Sequence, residues 1–334
     1  MKAVIYRGPR RVAVEEIPVP EGPGALVSVE ACGICGTDLT IFAGRHPRSK
    51  PPLVLGHEFV GTLLEDTGTA NLTRGTRVVC YPLISCGHCD ACGNGREHVC
   101  ETLRLVGIDS AGGMAGFARV DPQLLYPIAD NVTAEVAAQV EPLAVCVHAA
   151  NVGQIMEGQK VAIIGAGPIG VTLAMLLRQY GVERIVLSDV SHERLEIAGA
   201  LGFETAVAGS DLSWMLGDAP RRGFDVVFEC AGAAAAVSDA VSHARNGGKV
   251  VIVSIHKAPQ PVDLQAMSFR ELSISGTRVY TRAEFQEAIN LLPQMHADLA
   301  RLVSRKIKMS EAQEAMAGLT SGATELKVIV DCLP

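Results

Sequence analysis

The chain of 334 residues carries a formal net charge of −7, and 48% of its residues are apolar while only 4% are aromatic. This length predicts about two domains, and the apolar content is sufficient for sizeable cores. The negative charge and the lack of a basic stripe with stacking side chains argue against a nucleic-acid partner and favour a small-molecule substrate.

The N-terminal segment and the hydropathy of the chain predict a compartment. Met1–Tyr6 is followed by Arg7, Arg10 and Arg11, which leaves too short an apolar run for a secretory leader. No uninterrupted apolar segment approaches the roughly eighteen residues that span a bilayer. We therefore expect a protein of the reducing cytoplasm, without membrane contact, in which most scattered cysteines are small buried side chains.

Up to about residue 150 the sequence predicts an irregular all-β unit, because short β-type runs alternate with Gly and Pro. The predicted strands are Ala3–Tyr6, Val12–Ile17, Ala25–Ala31, Phe59–Leu64, Arg77–Tyr81 and Phe117–Val120.

From Lys160 onward, continuous apolar strands alternate with amphipathic helices, a pattern typical of a parallel sheet covered on both faces. The predicted strands are Val161–Gly165, Arg184–Asp189, Asp225–Gly232, Lys249–Ile255 and Leu272–Thr277, and the helices are Ile169–Tyr180, His192–Ala200 and Ala233–Ala244. The tail predicts helices over Ala283–Leu292 and Ser310–Leu319, a basic stretch between Arg301 and Lys308, and a last strand over Lys327–Leu333.

Four cysteines, Cys86, Cys89, Cys92 and Cys100, lie within fifteen residues. Four thiolates at this spacing match the closed tetrahedral shell of structural zinc. A redox dithiol and disulfides are the alternatives, and four sulfurs this close inside a long chain with no predicted secretory leader count against both. A saturated site of this kind has no open position for a substrate, so it does not by itself name a function.

A glycine-rich turn marks the start of the α/β half. The run Gly165–Gly170 reads GAGPIG, follows a buried strand and opens a helix, which is the context in which backbone N–H groups bind a pyrophosphate. A second strand ends in Asp189, 24 residues after Gly165, where a carboxylate binds ribose hydroxyls and repels a 2′-phosphate. This pattern favours NAD over NADP, although Arg194 offers a guanidinium to the same region. The alternative is a tight turn without a ligand.

Three dispersed segments carry further metal-binding side chains: Cys35, His57 with Glu58, and Glu141. A thiolate, an imidazole and a carboxylate suit a zinc ion that keeps one position open. Spacing alone does not join these segments, and each side chain taken singly is also compatible with a packed core position.

The order of these motifs resembles the zinc-dependent medium-chain dehydrogenase/reductase superfamily over essentially the whole chain. Within it, the sequence is similar to the sorbitol, 2,3-butanediol and threonine dehydrogenase branch, because one ligand segment reads Glu141-Pro142-Leu143 and a late strand reads Val253-Ser254-Ile255. The resemblance implies an α/β chain with a GroES-like irregular β catalytic domain over 1–150 and 280–334, including a zinc lobe at about 80–105. It also implies a Rossmann NAD-binding domain, a doubly wound parallel sheet, over 151–279.

The resemblance also implies two zinc ions per chain, NAD, and roles for individual residues. Cys35 and His57 would ligate the catalytic zinc, with Glu58 and Glu141 completing the shell, and Thr37 would relay the alcohol proton. The four cysteines of the lobe would hold the structural zinc. The implied cofactor positions are Gly165, Gly167, Pro168, Ile169, Gly170, Asp189, Arg194, Ser254, Ile255 and Thr277.

Several positions depart from the pattern of that branch. Thr40 replaces a proton-relaying His, Ile41 replaces a substrate-contacting Tyr of sorbitol dehydrogenases, and Val279-Tyr280 replaces an Arg-Tyr pair. Trp214 is far from the position at which threonine dehydrogenases carry a Trp. These departures count against sorbitol and threonine as substrates.

Basic residues offer a different substrate class. Arg45, His46 and Arg48 lie between two ligand segments, and Arg278 follows a predicted strand. If they face the zinc, a sugar acid or a polyol phosphate becomes the expected substrate, whereas the alternative is a solvated surface loop.

These observations predict an NAD-dependent zinc dehydrogenase acting on the secondary alcohol of a polyol, vicinal diol or sugar acid. A threonine dehydrogenase-type enzyme and a catalytically silent NAD-binding sensor are the alternatives, while the four catalytic-zinc candidates oppose a zinc-free enone or quinone reductase. A homodimer or homotetramer is expected, paired through an edge strand at Leu272–Gly276.

Overall fold

The computed structural model describes residues 1–212, 215 and 223–333, so Trp214 lies outside the described residues. The chain divides into two compact units, one formed by Met1–Pro142 with Thr281–Pro334 and the other by Leu143–Tyr280. Among the described residues, no helix combines the length and apolar character needed to cross a membrane.

The described strands, in chain order, are β1 (Lys2–Gly8), β2 (Arg11–Glu16), β3 (Ala25–Gly33), β4 (Leu53–Val54), β5 (Glu58–Leu63), β6 (Arg77–Cys80), β7 (Leu83–Ile84), β8 (Arg104–Leu105), β9 (Phe117–Val120), β10 (Leu125–Pro127), β11 (Lys160–Ile164), β12 (Arg184–Asp189), β13 (Glu204–Val207), β14 (Phe224–Glu229), β15 (Ala244–Ile252), β16 (Ser273–Gly276), β17 (Val303–Lys308) and β18 (Lys327–Asp331). The described helices are α1 (Gly36–Phe42), α2 (Asp90–Gly93), α3 (Ala134–Ala137), α4 (Val140–Gly153), α5 (Pro168–Gln179), α6 (His192–Ala200), α7 (Ala234–His243), α8 (Leu264–Arg270), α9 (Arg282–Leu302) and α10 (Ala312–Thr320).

The first unit is built around strand β3. Its main sheet has the order β10-β6-β5-β3-β18-β17, with β9 also pairing with β3, and smaller sheets join β2-β1-β4 and β7-β8. At the end of β3, Gly33 pairs with Glu58 on one side and with Ile329 on the other. This register brings together the segments that carry Cys35, His57 and the start of β18.

The second unit is a six-stranded parallel sheet in the order β13-β12-β11-β14-β15-β16. β11 is almost wholly buried, as expected for a central strand covered on both faces. The chain order runs outward in both directions from β11, so the strand order reverses between β11 and β14. The α/β prediction with an irregular β unit and a doubly wound parallel sheet is confirmed.

Several helices differ from the sequence prediction, α4 and α9 among them. α4 was not predicted, and it places Glu141 in the first turn of a 14-residue helix. The helix predicted to end at Leu292 instead continues through Pro293 to Leu302. Proline inside a helix costs about 3 kcal/mol. Burial of Met295, Leu299 and Leu302 on the face that already buries Leu292 offsets this cost.

Candidate metal centres and dinucleotide site

The buried polar cluster of the first unit consists of Cys35, His57 and Glu58, whose ligand atoms all lie within 4.8 Å of one another. His57 is 3% exposed and Glu58 is 2% exposed, while Cys35 is half-buried. Burial of such polar groups is costly unless partners compensate for the lost hydration. The structure therefore brings together three of the four dispersed candidates of the sequence analysis.

Local capping fixes the position of Cys35. It is the N-cap residue of α1, and its Sγ accepts a hydrogen bond from the backbone N of Thr37 at 3.5 Å. In return, Asp38 Oδ2 accepts one from the backbone N of Cys35 at 2.9 Å, which completes a capping box. The sequence analysis assigned no role to Asp38, although a carboxylate three residues after a possible N-cap is the capping-box signal.

The electrostatics of the cluster fit a cation. Burial opposes charging of His57, but Cys35, Asp38 and Glu141 outweigh it and raise the imidazole pKa well above its usual value. Two buried atoms, His57 Nδ1 and Asp38 Oδ1, have no hydrogen-bond partner. A zinc ion held by Cys35, His57 and Glu58 would compensate this negative surplus, and a thiolate, an imidazole and a carboxylate are donors that zinc accepts.

Glu58 also pairs with a residue that sequence reasoning missed. Lys327 Nζ donates to Glu58 Oε2, and both side chains are buried. Burial opposes the charge on Lys327, but Glu58, Cys35 and Glu141 raise its pKa above the usual value. Gly33 leaves room for this pair, because a Cβ there would lie 2.9 Å from Lys327 Cε. A single Lys at the start of an apolar strand gives no sequence signal for such a role.

Glu141 and Thr37 lie around this cluster in the first unit. Glu141 is buried and contributes to the raised pKa of both His57 and Lys327, but it falls outside the group of ligand atoms within 4.8 Å. Thr37 is half-buried in the first turn of α1, two residues after Cys35. Ile41, which replaces the substrate-contacting Tyr of sorbitol dehydrogenases, is a buried core residue of the same helix.

In the basic loop at residues 45–48, which suggested an acidic substrate, two of the three basic side chains make contacts within the protein. Arg48 donates to the carbonyl of Leu103 at 2.6 Å and forms an ion pair with Asp109 at 3.2 Å. His46 Nδ1 is within 2.8 Å of Ser49 Oγ. Arg45 is exposed, as is Arg278 in the second unit. For Arg48 and His46, these contacts favour the alternative of a surface loop over a substrate-binding role.

The four cysteines of the lobe converge as their spacing predicts. The sulfur atoms of Cys86, Cys89, Cys92 and Cys100 lie within 4.8 Å of one another, with Cys89 Sγ and Cys92 Sγ 3.5 Å apart. Backbone N–H groups of His88 and Cys89 lower the pKa of the Cys86 thiol to about 6. Four converging sulfurs with a stabilised thiolate fit a closed, structural zinc site.

The glycine-rich turn of the second unit has the geometry that a pyrophosphate needs. Gly165 has φ +111°, and a Cβ there would lie 2.9 Å from the backbone N of Ala231. Gly167 is the N-cap of α5, Pro168 and Ile169 form its first turn, and Gly170 packs against the carbonyl of Gly165. Free N–H groups at this helix start can bind an anion.

Asp189 ends β12 and is buried. Its Oδ2 accepts a hydrogen bond from the backbone N of Ala166 at 2.8 Å, and its Oδ1 accepts one from Ser191 N at 2.9 Å. Arg194 Nη1 lies 3.9 Å from Asp189 Oδ2 and 3.8 Å from the position of a Cβ on Gly167. Both side chains implied for ribose recognition thus border the glycine-rich turn.

The last cofactor candidates follow β15 and β16. Ser254 is half-buried and donates from Oγ to Glu229, whereas Ile255 is 86% exposed. Thr277 donates from its backbone N and from Oγ1 to the carbonyl of Ile252, at 3.0 Å and 3.2 Å. All three lie at the carboxyl ends of parallel strands, where ligands of doubly wound sheets bind.

Comparison with known proteins agrees with this geometry. The alcohol dehydrogenase GroES-like domain matches residues 22–130, and the zinc-binding dehydrogenase domain matches residues 168–294. The 2-dehydro-3-deoxy-L-galactonate 5-dehydrogenase of Pseudoalteromonas atlantica is 32% identical over 94% of this chain and 93% of its own. The L-threonine 3-dehydrogenase of Mesorhizobium japonicum is 34% identical over 99% of this chain and 98% of its own. The chain belongs to the zinc-binding alcohol dehydrogenase family.

The chain is also similar to the solved structure of a zinc-binding dehydrogenase from Sinorhizobium meliloti 1021 bound to NADP. The TM-score is 0.91 and the identity 33%, and the match covers 100% of this chain and 99% of the other. The predicted superfamily, enzyme class and cofactors are confirmed: the protein is a zinc-dependent oxidoreductase that acts on an alcohol with a nicotinamide dinucleotide. The metal cluster also counts against the zinc-free reductase alternative.

Replacing Asp189 by Ser tests how this dehydrogenase selects between the two dinucleotides. Loss of the carboxylate removes its repulsion of a 2′-phosphate and leaves Arg194 free to pair with that phosphate. We expect the ratio of kcat/KM for NADP to that for NAD to rise by about tenfold or more. Arg194→Gln in the Asp189→Ser background should reverse most of the gain. An unchanged ratio in Asp189→Ser would contradict the role of Asp189.

Proposed function

We propose that this dehydrogenase oxidises the secondary alcohol of a polyol, vicinal diol or sugar acid and prefers NAD as the acceptor. The observation that carries the proposal is the buried group of Cys35, His57 and Glu58, in a chain that also has a dinucleotide turn at Gly165–Gly170. When bound, zinc supplies a Lewis acid that lowers the pKa of the alcohol, and NAD supplies the hydride acceptor.

Residues of the first unit bind the metal, position its ligands and transfer the proton of the alcohol. Cys35, His57 and Glu58 hold the metal, and Asp38 keeps Cys35 at the start of α1 through the capping box. Thr37 carries the hydroxyl that takes up the alcohol proton. Position 40 holds a threonine instead of the relaying histidine, and its Oγ1 donates to the carbonyl of Gly36 at 3.0 Å. The proton therefore leaves Thr37 by a route that does not use residue 40.

The choice of zinc ligands also follows from the contacts of Glu58. One of its oxygens is already paired with Lys327, whose positive charge competes with a metal ion for the carboxylate. Glu141 lies near enough to influence the pKa of His57. We assign Glu141 as the further zinc ligand beside Cys35, His57 and Glu58, binding the metal either directly or through a water molecule.

Threonine is the second candidate substrate, and the 34% identical relative from Mesorhizobium japonicum favours it. Threonine and the substrate named for the Pseudoalteromonas relative each carry a carboxylate as well as a secondary alcohol. Arg48 is already paired with the carbonyl of Leu103 and with Asp109, and Ile41 is buried, so neither of these two side chains is placed to bind the carboxylate of threonine.

An NAD-reduction screen tests the proposed function. Zinc-loaded protein would be assayed with neutral diols, polyols, aldonates, polyol phosphates and L-threonine, and chelated protein would serve as the control. We expect oxidation of at least one polyol, diol or aldonate, loss of that activity on chelation, and about two zinc ions per chain. Protein that binds two zinc ions and NADH but oxidises none of these alcohols would support the silent sensor.

The proposal includes a cytoplasmic homo-oligomer, a dimer or a tetramer. β16 is the last strand of the sheet in the second unit, and an open strand edge needs covering. The neighbouring helix α8 presents Leu264 and Phe269, which are 70% and 81% exposed. A second copy of the chain would bury both the edge and these side chains.

A further inference from the structure

A buried glutamate joins two loops at the carboxyl ends of the parallel strands in the second unit. Glu229 is the last residue of β14 and is 0% exposed. Its Oε1 accepts hydrogen bonds from the backbone N of Ala231 at 2.8 Å and of Gly232 at 2.7 Å. Its Oε2 accepts from Ser254 Oγ and from His256 Nε2, the latter at 2.9 Å. One carboxylate therefore holds both the chain after β14 and the chain after β15.

The backbone of Glu229 reinforces this connection. Its carbonyl accepts hydrogen bonds from the backbone N of Val253 at 2.9 Å and of Ser254 at 3.1 Å. Gly232 packs closely against the second loop, since a Cβ there would lie 3.6 Å from Ser254 Cβ. A buried carboxylate is stable only where donors replace its lost hydration, so the positions of these donors are tightly constrained.

A Ser, a His and a carboxylate in contact also suggest a hydrolytic triad, but the geometry excludes it. His256 Nε2 faces both Ser254 Oγ, at 3.2 Å, and Glu229 Oε2, at 2.9 Å. A triad needs one ring nitrogen for the nucleophile and the other for the carboxylate. His256 Nδ1 is buried and makes no hydrogen bond, so the cluster organises structure rather than activating Ser254.

The position of the cluster in the sheet relates it to one half of the cofactor. A dinucleotide crosses a doubly wound sheet where the strand order reverses, with one mononucleotide half on each side. That reversal lies between β11 and β14, and Asp189 marks the β12 side for the adenosine half. The nicotinamide half therefore belongs over β14 and β15, where Glu229 and His256 lie. The loop held by Glu229 also meets the glycine-rich turn, because Ala231 N would touch a Cβ on Gly165.

We propose that Glu229 and His256 are positioning residues for the nicotinamide half of the cofactor. They act through the two loops they hold, and they fix the chain at Ser254 and His256, on either side of the exposed residue Ile255, at the carboxyl edge of the sheet. Preorganised loops avoid the entropic cost of ordering when a ligand binds. The inference rests on the proposed use of NAD but requires no particular alcohol.

Comparing NADH with ADP-ribose, which lacks the nicotinamide, tests this role. His256→Leu removes the donor to Glu229 and keeps a similar volume. We expect the Kd for NADH to rise by about tenfold and the Kd for ADP-ribose to stay within about twofold of the wild-type value. His256→Gln, which retains an N–H donor, should recover most of the NADH affinity. Both affinities can be measured by calorimetry on the full-length protein.

Two further variants keep the test decisive. Ser254→Ala deletes the other donor to the same oxygen of Glu229. It should raise the Kd for NADH by about threefold and leave the Kd for ADP-ribose unchanged. Glu204→Gln is the matched control, because it breaks an exposed pair with Arg184 at the amino ends of β12 and β13. The proposal would be overturned if the variants lost affinity for NADH and ADP-ribose equally, or lost affinity for neither. Failure to oxidise any alcohol would overturn the proposed function alone, because both affinities are measured without turnover.

Discussion

Cys35→Ala is expected to lower kcat/KM for the alcohol by about a thousandfold or more while leaving NADH binding within about twofold. Lewis-acid assistance contributes several kcal/mol to such reactions, and about 4 kcal/mol corresponds to a factor of a thousand. Cys35 offers the thiolate of the buried cluster in the first unit. The dinucleotide turn at Gly165–Gly170 belongs to the second unit, so its geometry does not depend on this thiol.

The metal content separates this explanation from general damage. Zinc per chain should fall from about two to about one in Cys35→Ala, because the closed four-cysteine site is untouched. Cys80→Ala provides the matched control, since Cys80 is a buried thiol of β6 without a proposed role. This control should keep both zinc ions and most of its activity. Undiminished oxidation by Cys35→Ala would contradict the zinc mechanism.

The two metal groups differ in how far the sequence predicts them. The lobe cysteines are close in sequence, so their spacing alone indicates a shared ion. Cys35 lies in a different segment from the adjacent residues His57 and Glu58, and only the pairing of β3 with β5 brings the three within 4.8 Å. Spacing therefore left these candidates unconnected, and the family resemblance supplied the connection.

The fold shows the same division between local and long-range information. The predicted helix over His192–Ala200 agrees with α6 at both ends, and its start is fixed locally because Ser191 caps it. α9 extends past Pro293 because residues beyond it are buried, and local propensity cannot predict such burial. Lys327 and His256 were missed for the same reason: each acquires its role from a carboxylate many residues away.

Lys327→Met should destabilise the metal-free protein by about 3–5 kcal/mol, the usual cost of leaving one partner of a buried ion pair alone. Lys327 and Glu58 are both buried, and Met retains much of the volume of the Lys stem. Without the ammonium group, the Glu58 carboxylate loses a partner in surroundings that already contain Cys35 and Glu141. The free energy of unfolding, measured by chemical denaturation of chelated protein, checks this expectation.

A double variant distinguishes the lost charge pair from lost packing. Glu58→Gln combined with Lys327→Met removes both charges and should recover most of the stability, because no unpaired carboxylate remains. Lys306→Met is the control for a surface lysine: its pair with Glu135 is partly exposed and should contribute at most about 1 kcal/mol. A cost for Lys327→Met no larger than that of Lys306→Met would refute the argument.

Zinc should change the size of the Lys327 effect. A bound cation supplies positive charge beside Glu58, so we expect Lys327→Met to destabilise the zinc-loaded protein less than the chelated protein. The same reasoning predicts that the variant makes Glu58 a better metal ligand, since the competing ammonium group has gone. Suppose that Lys327→Met binds zinc more tightly and is less stable than the wild type without zinc. Lys327 then stabilises the zinc-free protein but, by pairing with Glu58, lowers the affinity of the site for zinc.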